Sequence, residues 1–400
     1  MLEQKYDINF LRKTVTNTDV YRWNLWSDES ERELVLHGIT SSIKNGDYAL
    51  SPLVKKKIGS KNAYDAKSST DFFAIKMTDH YIRRIYKVKQ SDRNRIIKEI
   101  SSLLGDRGKL TLLRMDVKSF YENIELNKVI AKIKEDMILN SKGLTILNSI
   151  HDSLISLGCQ GLPRGIGLSA TLSELYMEPF DRAMRAHKSI FYYSRYVDDI
   201  IVLADEDQID KVELQAKLKL SELSLETNDK KGIHSLGSLP IDFDYLGYNF
   251  EVARESEDRN DQKKYNNIIT SIQVSPSKIK KYMTRMVKSF KSYERNHNFK
   301  DLIERLRYLS GSQIIKKSKN GNILSGLKYN YRYVTDYKCL KVLDAFLYSI
   351  LDNIKYAQIL TPDQRAKLIK VSFYRSSRDG YIVKYSRKRV THLKKVWRYE

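Results

Sequence analysis

The order of apolar and polar positions along the chain alternates β-type runs with helical periods. Leu110-Thr111-Leu112-Leu113-Arg114-Met115-Asp116 is an apolar run that ends in an acid, and it predicts a buried strand. Phe191 to Ala204 predicts a hairpin, because two β-rich arms flank a polar tip. Helix is predicted for residues 126 to 158 and 210 to 224. It is also predicted for 168 to 186, where apolar periodicity follows a Gly/Pro loop at 161 to 167. Further strands are expected near 233–236 and 243–250. The stretch Arg83-Arg84-Ile85-Tyr86-Lys87-Val88-Lys89 alternates charge with β-formers and predicts an exposed strand, after which Ser91-Asp92-Arg93-Asn94 starts a helix. Residues 1 to about 70 mix short helical patterns with polar turns, and from Ser275 onward the pattern is helical and basic. There is no internal repeat or low-complexity segment. This mixture of strands, helices and a hairpin predicts an α+β fold with a helical C-terminal part.

The chemistry is concentrated at strand ends. Asp198 and Asp199 lie between the arms Phe191–Tyr196 and Ile200–Leu203, at a hairpin tip where two adjacent carboxylates stay reachable. Alone, an Asp-Asp turn is ordinary turn chemistry. Asp116 ends a second apolar strand, and an acid there can meet the tip of a neighbouring hairpin. Three carboxylates so gathered repel one another unless cations intervene, and two Mg²⁺ ions, with Mn²⁺ as a substitute, would satisfy them.

The residues around these acids resemble a known family. Asp116-Val117-Lys118-Ser119-Phe120-Tyr121 looks like motif A of reverse transcriptases. Gly161-Leu162-Pro163-Arg164-Gly165, running into Leu168-Ser169 and Leu175-Tyr176-Met177, looks like motif B. Arg195-Tyr196-Val197-Asp198-Asp199 resembles motif C, Leu225-Glu226-Thr227-Asn228-Asp229-Lys230-Lys231-Gly232 motif D, and Phe243-Asp244-Tyr245-Leu246-Gly247-Tyr248 motif E. Their style is similar to the bacterial, group-II-intron-like lineage.

The resemblance implies a right-hand polymerase fold. Its N-terminal and fingers region would span 1–105, its palm with motifs A to E 106–272, and a helical thumb with a basic extension 273–400. It implies an RNA-directed DNA polymerase in which Asp116, Val117, Asp198 and Asp199 form the metal set. One ion would lower the pKa of the primer 3′-hydroxyl and the other would hold the triphosphate. Tyr121 takes the position of the steric gate that leaves no room for a 2′-hydroxyl, with Phe120 beside it. Gly161, Pro163 and Gly165 shape a loop whose backbone can approach the templating pair. Arg164 stands where many relatives have Gln. Lys231, with Lys230 as competitor, would protonate the departing pyrophosphate, and Arg84, Lys89 and Arg95 would clamp the triphosphate.

Composition supports a polyanionic partner. The 400 residues carry 71 Lys+Arg against 49 Asp+Glu, a formal charge of +22, together with 27 tyrosines on which bases can stack. Only Cys159 and Cys339 are present, so neither a disulfide framework nor a thiolate zinc site is implied. Met1-Leu2-Glu3-Gln4-Lys5 lacks a signal-peptide pattern and no uncharged run is long enough for a membrane span, so a cytoplasmic protein is expected. Between 370 and 400, ten cations with interleaved Tyr and Trp face only Asp379 and Glu400, which suggests a grip on RNA or single-stranded DNA, or else a flexible basic tail.

No RNase H or HNH-like nuclease pattern is evident, and Val334-Thr335-Asp336 departs from the Val-Thr-Gly of retron enzymes. A compact chain of this kind is similar to antiphage defence-associated reverse transcriptases. Those imply a non-coding RNA template, a DNA product, dNTPs, and a second reverse transcriptase or other defence subunit or a homo-oligomer. The alternatives are untemplated or repetitive-template synthesis by the same palm, a retron-type or intron-derived enzyme, an RNA polymerase (against which Tyr121 argues), and an RNA-binding scaffold with an idle palm.

Overall fold

In the computed structural model, which describes residues 2–59, 61–105, 108–228, 232–254, 268–316 and 323–397, the chain divides into two units. The first comprises Met1–Asp92 and Leu110–His234, the second Arg93–Lys109 and Ser235–Glu400.

The first unit is built on a four-stranded sheet in the order Ile190–Tyr196, Asp199–Asp205, Leu110–Asp116, Gly232–Ser235. Leu110–Asp116 and Asp199–Asp205 are its inner strands. Each is covered on both faces, which is why each reads as a continuous apolar run rather than an alternation. They pair antiparallel in a register that sets Asp116 opposite Asp199, and Tyr196 meets Asp199 from the other side. Helix Leu168–Ala186 packs on strand Ile190–Tyr196 and on helix Ser69–Ile85, burying Leu168, Leu172, Leu175, Tyr176 and Phe180. Helix Ile209–Glu222 lies on both inner strands.

Several sequence expectations change. Arg83–Ile85 is the end of helix Ser69–Ile85, not an exposed strand. The stripe Phe73, Met77, Tyr81 with Ala74, Thr78 and Ile82 is buried at helical spacing, and Ile85 simply continues it. Residues 126 to 158 are two helices, Leu126–Glu135 and Ser141–Ser156. They are separated at Met137, which has positive φ, and Asn140 caps the second through Gly143 N at 2.9 Å. The strand expected over 243–250 is a hairpin, Ile241–Tyr245 with Tyr248–Arg254, turning through Leu246 and Gly247, both with positive φ.

In the second unit that hairpin pairs with Ile268–Val274, and helices Pro276–Asn296, Phe299–Ser310 and Lys338–Asp352 follow. Helix Arg93–Leu103 belongs here. The Arg93 guanidinium donates to Leu246 O at 2.9 and 2.7 Å and to Asn330 O at 2.7 Å, and it lies 4.8 Å from the Tyr248 ring centroid. The C-terminal part is not purely helical. Ser312–Lys316 lies between Ile323–Gly326 and Ile382–Val383, pairing parallel with the latter.

The basic stretch after 370 is folded as far as Trp397. Leu393 and Trp397 are buried, and the Trp397 indole donates to Arg285 O at 3.1 Å. Arg389 contacts Asp301 and Glu304 at 2.6 Å each, and His392 contacts Asp301 at 2.7 Å. Acids some 90 residues away in the chain therefore neutralise part of a charge that looks unopposed locally.

Candidate active site

All the groups described next belong to the first unit. The tip Val197-Asp198 is a two-residue turn, and Val197 sits at φ 61. A β-branched residue in that region is strained, so its surroundings must hold it there. Arg195 does so. Its Nη1 donates to Val197 O at 3.0 Å, while Nε and Nη2 form a two-pronged contact with Asp181 at 2.8 Å each. Nη2 also reaches Glu174 Oε2 at 2.7 Å, and the whole group is buried. Both acids lie on helix Leu168–Ala186, so one guanidinium ties the hairpin tip to the helix behind it.

Asp116 and Asp198 approach each other at the strand ends, where Val117 N donates to Asp198 O at 3.1 Å. Burial pushes the Asp198 carboxyl up, and the Asp116 charge adds to that; Arg164 and Lys61 oppose it. Asp199 points differently, with Arg114 Nη2 3.9 Å from its Oδ1. No cluster of three or more His, Cys, Asp or Glu suited to a metal forms among the described residues. The side chain of Val117 is buried, so only its carbonyl is available as a ligand.

Asp116 is held by the segment after the 209–222 helix. Asn228 N donates to Asp116 O at 2.8 Å, Lys118 N donates to Glu226 O at 2.9 Å, and the Asn228 amide donates to Asp116 Oδ2. Asn228 thus fixes one oxygen of the carboxylate and leaves the other for chemistry. Replacing Asn228 by Ala should raise the divalent-cation concentration needed for half-maximal activity by roughly tenfold with little loss of folding. A cation titration of the variant checks this, and an unchanged midpoint would remove Asn228 from the site.

After Asp116 the chain turns through Ser119, at φ 46, into helix Phe120–Asn123. Neighbouring helical residues point about 100° apart, so the two aromatics there part company. The Phe120 side chain is buried in the core, so only its backbone is available to a nucleotide, whereas Tyr121 is half-buried at the surface of the site. Burial pushes the Tyr121 phenol up. Arg164 stacks 5.4 Å from its ring centroid and forks onto Glu122 at 2.9 and 3.1 Å. That contact holds the Glu122 carboxyl below its usual range.

Motif B lies against the same turn. Leu162 N donates to Tyr121 O at 2.7 Å, and a Cβ on Gly161 would come within 2.3 Å of that oxygen. Gly165 is as constrained, since its Cβ would lie 2.5 Å from Tyr64 O. The structure therefore brings together Asp116, Asp198, Tyr121, Arg164 and Gly165. It places Arg84 exposed in the last turn of helix Ser69–Ile85 and Lys89 exposed beyond it. Arg95 is on helix Arg93–Leu103 in the other unit, bonded to Glu99 at 2.6 Å. Lys231 and Lys230 lie outside the described residues.

Residues 66–250 match the family model for reverse transcriptase (RNA-dependent DNA polymerase), a span that encloses Asp116, Tyr121, the 161–165 loop and the Asp198-Asp199 tip. The chain carries a reverse transcriptase domain. It is accordingly an RNA-directed DNA polymerase, a nucleotidyltransferase, and the domain implies an RNA template and a DNA product. Reverse transcriptase domains use divalent metal ions, and a donor set of carboxylates, one with its pKa raised by burial and a neighbouring charge, fits a hard dication. No curated protein matches the sequence. Among the described residues no helix is long and apolar enough to cross a membrane.

Sequence reasoning passed over three residues of the domain, Arg195, Asn228 and Glu122, and Lys61 just before it. The first three stood inside or beside the quoted motifs. Their partners are 14 to 112 residues away, and the motif strings do not show those pairings. Lys61 Nζ lies 3.9 Å from Glu122 Oε1, and its charge acts on Asp198.

Proposed function

We propose that the domain adds dNTPs to a primer 3′-hydroxyl on an RNA template with Mg²⁺, using a right-hand arrangement of fingers, palm and thumb. The observation that carries this is the meeting of Asp116 and Asp198 beside a Tyr121 ring braced from behind by Arg164. Held by Asp116, Asp198 and the Val117 carbonyl, with Asp199 adjoining, divalent cations would acidify the 3′-hydroxyl and offset charge on the triphosphate. Tyr121 closes the space that a 2′-hydroxyl would need. Its ring cannot swing away readily, because Arg164 and the motif B backbone pack on the same turn. Lys61 and Arg164 supply cationic charge near the acids, in addition to Arg84, Lys89 and Arg95 as further triphosphate contacts. Lys231 is our candidate for protonating pyrophosphate.

Primer extension on RNA with dNTPs and Mg²⁺ tests the reading. DNA product is expected, and its complete absence even with the RNA that copurifies from cells would overturn it. Tyr121→Val should raise rNTP incorporation relative to dNTP by roughly 10²-fold. An unchanged sugar preference would mean that the gate lies elsewhere.

We further propose a setting in phage defence with a non-coding RNA, on the similarity of the chain to compact antiphage defence-associated reverse transcriptases. That setting requires that phage protection disappear with Asp198→Asn, and sequencing the DNA made in cells identifies its template.

A further inference from the structure

The second unit contains a cavity of about 460 Å³, within the range that holds small ligands. Its walls come from several separate elements, among them Tyr282 and Arg285 on helix Pro276–Asn296, Tyr308 on helix Phe299–Ser310, Gln313 on strand Ser312–Lys316, and Lys394 and Trp397 from the last two helical turns. The Tyr308 and Trp397 rings are 5.9 Å apart and inclined by 38°, so they form one broad aromatic wall. That wall is rigid, because the Trp397 indole is bonded to Arg285 O at 3.1 Å and to Ser289 Oγ at 3.2 Å.

Cations stand over both rings. Lys394 Nζ is 5.1 Å from the Tyr308 centroid, and the Arg285 guanidinium carbon is 5.9 Å from that of Trp397. Gln313 and Arg285 add amide and guanidinium groups to the same walls. Among the described residues no acid lines the space.

Flat aromatic surface and fixed positive charge around one cavity suit a ligand with a flat ring and an anionic group. We propose that this cavity binds one nucleotide unit, its base against the partly exposed Tyr308 ring beside the edge of Trp397 and its phosphate toward Arg285 and Lys394. The unit is either a free nucleotide or the terminal residue of a single strand. The proposal rests on the second unit alone and does not depend on the catalytic reading above.

Tryptophan fluorescence provides the test, since the other two tryptophans, Trp23 and Trp26, belong to the first unit. With EDTA present to suppress metal-dependent binding at the carboxylates, AMP or dAMP should quench the full-length protein saturably. Lys394→Gln should raise the Kd by about tenfold. In Trp397→Phe the quench should be lost. A 5′-phosphorylated single-stranded oligonucleotide that competes with AMP identifies a strand end as the occupant, and one that does not compete identifies the free nucleotide. If neither probe quenches the wild-type protein, if the quench persists in Trp397→Phe, or if Lys394→Gln binds as well as wild type, the proposal is wrong.

Discussion

Replacing Asp198 by Asn is expected to lower primer-extension turnover by about 10³-fold or more while raising the melting temperature of the metal-free protein. Both effects have one cause. Burial and the charge of Asp116 raise the folded-state pKa of Asp198 above its unfolded value. A group shifted in that direction contributes stability that is fully present below the unfolded pKa, near 4, and lost as pH rises through the folded value. At neutral pH the metal-free enzyme therefore carries the cost of an ionised, half-buried carboxylate, and Asn removes it. Because the group is partly exposed, solvent screens the effect, and a gain of roughly one or two degrees is expected. Mg²⁺ should raise the melting temperature of the wild type, since it binds only the folded state, and should do much less for the variant. Thermal melts with EDTA or Mg²⁺, beside primer extension, decide the matter. Retained synthesis in the variant, or a wild type indifferent to the cation, would remove Asp198 from the metal site.

The largest expected loss of stability is at Arg195. Arg195→Ala would leave Glu174 and Asp181 buried with their shared cation gone, at a cost of about 3–5 kcal/mol, and would also take the donor from Val197 O. Unfolding in urea should show a much lower midpoint, or the protein should fail to accumulate. Any soluble fraction should be deficient in catalysis, because the tip carrying Asp198 is no longer tied to helix Leu168–Ala186. Replacing Arg195, Glu174 and Asp181 together by Met or Leu should recover much of the stability without the activity. If Arg195→Ala alone melts like wild type, the ion cluster has been misjudged.

What could be read in the sequence follows a physical rule. Inner strands such as Leu110–Asp116 and a helix such as Leu168–Ala186 are specified by their own apolar pattern, and they stand where the pattern puts them. The acids at the strand ends were legible because they interrupt those patterns. Side-chain direction and distant partners were not. Phe120 and Tyr121 are adjacent aromatics, and only the local helix decides that one is core and the other faces the site. Asn228 finds Asp116 across 112 residues, and Arg389 finds Glu304 across 85. The alternation in Arg83–Lys89 misled because a helix end and an exposed strand share the same few residues when read alone. The short strands after Ser312 were missed for a related reason, since four or five residues carry too little periodicity to distinguish them from loop.

The placement of Arg93 has a consequence for synthesis on the ribosome. Its helix emerges early, with Ile96, Ile97 and Ile100 on one face, but Asn330 O, one of the acceptors of its guanidinium, lies 237 residues further along. At elongation rates of about 5–20 residues per second, that acceptor arrives on the order of 10 to 50 seconds later. Throughout that interval this part of the Arg93 anchorage is missing. Expression at lower temperature or with a co-produced trigger-type chaperone should therefore change the yield of active enzyme more than any adjustment made after the chain is released.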